Sequence, residues 1–80
     1  MKIKTAYFYS KGTFVAKAFV QYADGLKNDR RTALGDTAEE AISGAVGYIQ
    51  ADFRKDGLKV PETIEHIGKI RRAFAEAWIF

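Results

Sequence analysis

Hydrophobic residues at the start of the chain fall into two short runs, residues 2–10 and 13–22, both rich in Tyr, Phe, Val and Ile. Runs of this length and composition are typical of β-strands. Only a Lys-Gly pair separates them, which predicts a tight hairpin. Pairing Ser10 with Thr13 sets large side chains opposite small ones over much of one face, as expected for a face packed in a core.

The other face of this hairpin mixes cationic and aromatic side chains, because Lys4 and Lys17 alternate there with Phe8 and Phe19. Aromatic rings between cations suit a platform that stacks on bases and holds phosphates. The same residues suit a hydrophobic patch that binds a protein. A third interpretation is that the aromatic C-terminal segment, residues 74–80, covers this face.

A weaker strand pattern follows a second turn signal at Asp24-Gly25. Residues 27–34 are strongly charged, so they predict either an edge strand or a segment that is partly loop. Two neighbouring arginines, Arg30 and Arg31, lie in this segment. Arginine binds carboxylate or phosphate through two parallel hydrogen bonds, so both are candidate binding residues, with solvated surface charge as the alternative.

The clearest element is a helix from about Thr37 to Lys55. Its start has the S/T-x-x-E spacing of a capping box, with Asp36 as a competing cap, and Asp56-Gly57 is typical of a helix end. Apolar residues recur at helical spacing along it and predict the face that packs against the sheet. This stripe consists of Ala38, Ile42, Ala45, Val46, Ile49 and Phe53.

Two glycines lie inside this helix, Gly44 and Gly47. Each costs about 1 kcal/mol relative to Ala in a helix interior, so their presence calls for a reason. On a helical wheel both fall on the side away from the apolar stripe. A smooth helix back of this kind would let another backbone approach closely, from a second copy of the chain, a partner protein or the C-terminal segment. The alternative is that these glycines are merely tolerated.

The last part of the chain predicts a second helix over residues 62–78, beginning after Pro61, a residue suited to a first helical turn. A strand over residues 74–80 is the alternative, because aromatic and polar residues also alternate there. The residues on the apolar arc of the predicted helix are Ile64, Ile67, Ile70, Phe74, Ala77 and Trp78.

Composition narrows the function classes. The chain has 80 residues, which is enough for one domain spanning residues 1–80, and it has no Cys for a disulfide, a metal site or a thiol nucleophile. It has one histidine, His66, and two serines, and neither a Ser-His-Asp arrangement nor a glycine-rich phosphate loop suggests itself. We therefore expect no enzyme, no metal and no cofactor.

Charge and hydropathy narrow the function classes only slightly further. The net charge is +3, and the excess of positive charge belongs to residues 1–36, which carry seven basic and three acidic side chains. Such a bias suits a nucleic acid or an acidic protein surface, although it also suits a merely soluble domain. No apolar run approaches the length of a membrane span or of a signal peptide, so a cytoplasmic protein without a membrane partner is expected.

The stretch LGDTAEEA at residues 34–41, followed by Asp56-Gly57 and Val60-Pro61, resembles HicB-like antitoxins. In that family a helix with this start follows an N-terminal β-hairpin. The resemblance implies a small sheet-plus-helix domain that blocks a partner protein, with a strand as the last element. Small size and the absence of catalytic residues also resemble, as a class, the inhibitor proteins of phages and mobile elements, such as anti-CRISPRs.

Together these patterns predict an α+β fold, in which an antiparallel β-hairpin or three-stranded meander packs against one long helix and is closed by a C-terminal helix or, alternatively, a strand. We expect a binding protein that occupies and inhibits or regulates a partner protein, with a homodimer as a further option. The alternative is a nucleic-acid-binding module that uses the basic and aromatic sheet face. The predicted partner-binding residues are Lys4, Phe8, Lys17, Phe19, Arg30, Arg31, Gly44 and Gly47.

Overall fold

The computed structural model describes residues 2–21 and 28–71 and confirms the α+β class. Its elements, in chain order, are β1 (Lys2–Ser10), β2 (Thr13–Gln21), β3 (Asn28–Gly35), α1 (Ala38–Lys55) and β4 (Ile64–Lys69). The strands form one sheet in the order β3-β2-β1-β4. β1, β2 and β3 are antiparallel neighbours, whereas β4 runs parallel to β1.

The β1–β2 hairpin has the register that the sequence predicts, with Ser10 opposite Thr13 and Tyr7 opposite Ala16. Both turn residues have positive φ, 51° at Lys11 and 80° at Gly12. A two-residue turn of this type matches the twist of the flanking strands, which is why it sets the register so firmly. The hairpin prediction is confirmed.

β3 is the edge strand that the charged pattern allowed, and the loop alternative is wrong for its residues. It pairs with β2 along its whole length, with Ala33 opposite Ala16. Ala33 is buried beneath α1, whereas its neighbours Thr32 and Leu34 are exposed on the other face. The second predicted turn, at Asp24-Gly25, lies outside the described residues.

α1 begins and ends where the capping signals indicate. The hydroxyl oxygen of Thr37, the N-cap, accepts a hydrogen bond from the backbone N–H of Glu40 at 3.1 Å. The Glu40 carboxylate in turn accepts from the backbone N–H of Asp36, also at 3.1 Å. At the other end Asp56 is the C-cap and Gly57 follows with a φ of 71°. These bonds satisfy backbone groups that a helix terminus leaves unpaired.

The core lies between α1 and the helix-facing side of β1, β2 and β3. Small residues dominate it, so the helix backbone comes very close to the sheet. At Gly35 the approach leaves no room for a side chain, since a Cβ there would lie 2.7 Å from the backbone nitrogen of Ala41. The core residues are Ile3, Ala16, Ala18, Val20, Ala33, Ala41, Ala45, Val46, Ile49 and Phe53.

The second helix predicted over residues 62–78 is wrong where the structure describes that segment, because residues 64–69 form β4. Backbone bonds to β1 replace helical ones: the N–H of Ile3 donates to the carbonyl of Thr63 at 3.0 Å. Gly68 has a φ of 102°, which no helix contains. Local apolar spacing could not reveal this, since the pairing partner lies about sixty residues earlier in the chain.

A C-terminal strand, the alternative that the sequence left open, is therefore the better description of this part of the chain. It begins earlier than the alternation of residues 74–80 suggested, and those residues lie outside the described part. β4 contains an irregularity, because its register with β1 shifts between Thr5 and Ala6. Ile67 falls at this bulge, where one extra residue enters the strand.

Candidate functional site

The face of the sheet opposite α1, called here the outer face, carries five of the predicted binding residues. Lys4 and Phe8 lie on β1, Lys17 and Phe19 on β2, and Arg30 on β3. The strand register places Lys4, Phe19 and Arg30 in one row across the three strands. The sequence prediction that the first four share a face is therefore confirmed, and the structure adds Arg30 to them.

The two aromatic rings on this face are buried. Phe8 exposes 9% of its surface and Phe19 exposes 8%. Base stacking needs a ring whose flat side is open to solvent, so these rings do not form an open platform. Among the predicted binding residues on this face, the cations Lys4, Lys17 and Arg30 are more accessible than the two rings. The interpretation that residues 74–80 cover this face concerns residues outside the described part.

Charged side chains at the β1–β4 side of the outer face pair with one another. The Lys2 ammonium lies 2.9 Å from a carboxylate oxygen of Glu65, and the Lys4 ammonium lies 3.8 Å from the other oxygen. The hydrogen bond from Lys2, together with the positive charges of Lys2 and Lys4, holds the pKa of Glu65 below its ordinary value. Within residues 2–21 and 28–71, neither Lys17 nor Arg30 forms an ion pair.

A cavity of about 440 Å³ runs along the β2–β3 pair beside these two cations. Its polar lining includes the hydroxyl-bearing Thr32, which is paired with Lys17 across the strands. The lining combines outer-face residues of both strands with Ala18 and Arg31, which lie on the helix-facing side, and with Tyr48 of α1. Its lining residues are Lys17, Ala18, Phe19, Arg30, Arg31, Thr32 and Tyr48.

The neighbouring Arg31 has a different partner. It points toward α1, where its guanidinium donates two hydrogen bonds to the Asp52 carboxylate, at 2.6 and 2.9 Å. The hydrogen bond from Arg31 is the main cause that lowers the pKa of Asp52, with burial opposing it. Strand alternation thus separates Arg30 from Arg31, and Arg31 joins β3 to the helix.

The two helix glycines lie in different surroundings. Gly44 faces β3, since a Cβ there would lie 3.1 Å from the Cβ of Ala33, so the prediction that it lies on the helix back is wrong. Its smallness serves the close contact between α1 and the sheet. A Cβ at Gly47 would meet nothing within 4 Å, so this glycine lies on the open back as predicted.

The sequence did not predict a second surface, which lies between α1 and β4. The helix packs on β1, β2 and β3 but not on β4, among the elements that the structure describes. A groove of about 550 Å³ remains between α1 and β4. The residues lining this α1–β4 groove are Glu39, Ile42, Ser43, Val46, Gln50, Ile64 and His66.

Two isoleucines of β4 are open to solvent. Ile64 exposes 37% of its surface inside the groove, and Ile67 exposes 46% at the bulge. Beside Ile64, the imidazole of His66 is held by Thr5, whose hydroxyl oxygen lies 2.6 Å from the histidine Nδ1. Thr5 itself is fully buried, so the ring is anchored on the core. Only the parallel pairing of β4 with β1 creates this arrangement.

The described residues offer no other obvious chemistry. Across residues 2–21 and 28–71, no three His, Asp or Glu side chains are grouped closely enough to hold a metal ion. The one helix in the described part of the chain is not apolar enough to cross a membrane.

Comparison with known proteins leaves the family open. No family model matches the sequence. Neither a curated protein nor a solved structure shows significant similarity to it. The resemblance to HicB-like antitoxins thus stays a prediction.

Proposed function

We propose that this protein is a non-enzymatic binding domain that occupies a partner protein and thereby inhibits or regulates it, and that the α1–β4 groove receives an apolar segment of that partner. One observation carries the proposal: Ile64 and Ile67 remain open to solvent on a strand that the helix leaves uncovered. Apolar side chains gathered in one patch are typical of sites where proteins bind, and Ile64 shares the groove with Ile42 and Val46.

The groove is built on elements that are already ordered. β4 is held by backbone bonds to β1 and by the ion pair of Lys2 with Glu65. α1 is capped at its N-terminus by Thr37. Because little of the groove has to become ordered on binding, the entropic cost of binding a partner is lower than for a flexible site.

The lining of the groove suits a short apolar segment with a polar backbone. Ile42 and Val46 of α1 face Ile64 across it, while Glu39 and Gln50 supply polar groups along its sides. A volume of about 550 Å³ accommodates several side chains of a partner. An apolar centre surrounded by polar groups is the usual anatomy of a protein interface.

Two further observations support a protein partner over a base-stacking mode. The rings of Phe8 and Phe19 are buried, which removes the platform on which the nucleic-acid alternative was predicted. The resemblance to HicB-like antitoxins implies the same mode of action, a small domain that blocks another protein by occupying it.

The test is a capture experiment with a matched pair of variants. Immobilised wild-type protein is incubated with nuclease-treated lysate of the native host, and bound proteins are identified by mass spectrometry. Ile64→Glu places a charge in the groove. The control, Leu34→Glu, replaces an apolar residue of the same size with the same charge; Leu34 is 66% exposed and lies on β3, at the opposite edge of the sheet.

We expect a protein that the wild type and Leu34→Glu both retain at high salt and that Ile64→Glu loses. With the purified partner, Ile64→Glu should weaken binding roughly tenfold or more, which corresponds to about 1.4 kcal/mol. A partner lost with Leu34→Glu and retained with Ile64→Glu would contradict the assignment of the groove.

A further inference from the structure

We infer that the outer face holds a second binding site, independent of the α1–β4 groove, in which Lys17, Arg30 and Thr32 bind the phosphate groups of a nucleic-acid backbone. The site lies on the face of the sheet opposite α1, where its three residues form part of the lining of the cavity of about 440 Å³; that lining also includes Tyr48 of α1. It therefore does not depend on the function proposed for the groove.

The strand register brings the three side chains together. Lys17 is directly opposite Thr32 on the neighbouring strand, and Arg30 lies two residues before Thr32 on the same face. Neighbouring strands are about 4.8 Å apart, and residues two apart along a strand are separated by about 7 Å. The ammonium, guanidinium and hydroxyl groups can therefore reach one group the size of a phosphate.

The chemistry of the three groups favours phosphate over a carboxylate. A phosphate presents several oxygens, and this site offers a point charge, a forked guanidinium and a hydroxyl donor. Among the described residues no carboxylate neutralises Lys17 or Arg30. Glu65, an acidic residue on the same face, is engaged by two lysines.

A nucleic-acid backbone fits better than an isolated phosphate because the positive charge continues across the sheet. Lys4 lies in the same row as Arg30, two strands away, which corresponds to about 10 Å. Cations spread over such a distance suit a polymer with regularly repeated phosphates. Since Phe8 and Phe19 are buried, the contact would be to the backbone and independent of base identity.

The test measures binding of a fluorescently labelled, mixed-sequence single-stranded oligonucleotide by anisotropy over a range of salt concentrations. The variants are Lys17→Gln and Arg30→Gln. Lys59→Gln is the control, because it removes the same charge from an exposed residue outside the outer face. Circular dichroism checks that each variant is folded, and Lys17→Arg, which keeps the charge, should retain the affinity.

We expect wild-type affinity to fall as salt rises, because bound cations are released from the phosphates. Lys17→Gln and Arg30→Gln should each weaken binding and reduce the slope of log K against log salt by about one. Lys59→Gln should leave the slope unchanged.

Three results would overturn the inference: no binding at low salt, equal losses in Lys59→Gln and Lys17→Gln, or equally strong competition by polyglutamate, which would indicate an acidic protein ligand. Ile64→Glu separates this inference from the proposed function. If Ile64→Glu still binds the oligonucleotide, the binding belongs to the outer face alone. If Ile64→Glu no longer binds it, the groove takes part in the binding and the two sites are not independent.

Discussion

The two flanks of α1 differ sharply in how they meet the sheet. On the side of β3 the helix packs closely against the strand: Gly44 contacts Ala33, and Arg31 donates two hydrogen bonds to Asp52. Toward β4 the helix leaves a groove in which Ile42 and Ile64 remain partly open. One helix thus completes a core on one side and leaves a surface on the other.

Side-chain size explains this difference. The close flank is lined by Gly and Ala, so the helix backbone approaches the sheet so closely that a Cβ added at Gly44 would lie 3.1 Å from the Cβ of Ala33. The helix residues toward β4 are Ile42 and Val46, which hold the backbone farther away. A helix offset toward β3 covers three strands, and the parallel fourth strand receives no cover from it.

The largest expected effect compares one isoleucine from the core with one from the groove. Ile49 is fully buried under the sheet, so Ile49→Ala should lower the free energy of unfolding by about 2–5 kcal/mol. Ile64→Ala removes the same atoms from a partly exposed site and should cost about 1 kcal/mol or less. Urea unfolding of both variants measures the two values. Equal losses would mean that β4 is as closely packed as β1 to β3.

A smaller effect separates the two helix glycines. Gly47→Ala should raise the free energy of unfolding by about 0.5–1 kcal/mol, because alanine favours the helix and its Cβ meets open space. Gly44→Ala should gain less, or lose, because its Cβ would press on Ala33. Thermal unfolding of the two variants side by side gives the order. A larger gain at Gly44 would contradict the close contact on that flank.

The smallest effect concerns the ion pairs at the two edges of the sheet. The pKa of Asp52 lies below its ordinary value of 3.8, so the folded state favours the charged carboxylate. Its contribution to stability is therefore complete well above pH 3.8 and is lost as the pH falls through and below that value. Glu65, whose pKa is lowered from 4.5, behaves in the same way.

Asp52→Asn and Glu65→Gln test this pair of carboxylates. Each variant should unfold with a weaker dependence on pH between about 5 and 2 than the wild type, as linkage requires. Both pairs are exposed, so the change should be small and should shrink further at high salt. Asp52→Asn is expected to have the larger effect, since its partner forms two hydrogen bonds. Curves of Tm against pH that coincide with the wild-type curve would show that the pairs contribute nothing.

Several parts of the fold could be predicted because neighbouring residues decide them. The turn at Lys11 and Gly12 sets the hairpin register. Thr37 and Glu40 define the helix start through bonds over three and four residues. The candidate site followed from this: once the register was known, Lys4, Lys17 and Phe19 had to share a face.

Other parts depended on contacts that no local pattern contains. Arg30 and Arg31 are neighbours in sequence, yet strand pairing turns one to the outer face and the other to Asp52. A helical wheel places Gly44 on the helix back, because its contact, Ala33, belongs to another element that the helix sequence does not include. The α1–β4 groove could not be foreseen while the segment that forms β4 was expected to be helical.

By itself, the sequence determined the α+β class, the hairpin and its register, the ends of the helix and the presence of several cations on one sheet face. The reason is that these features depend on hydrogen bonds and on side-chain alternation between residues close together in the chain. Only the tertiary structure decided that residues 64–69 form a parallel strand beside β1, that the helix is offset toward β3 and that an apolar groove remains. These outcomes depend on packing between segments far apart in the chain, where the size of one side chain sets the distance available to another.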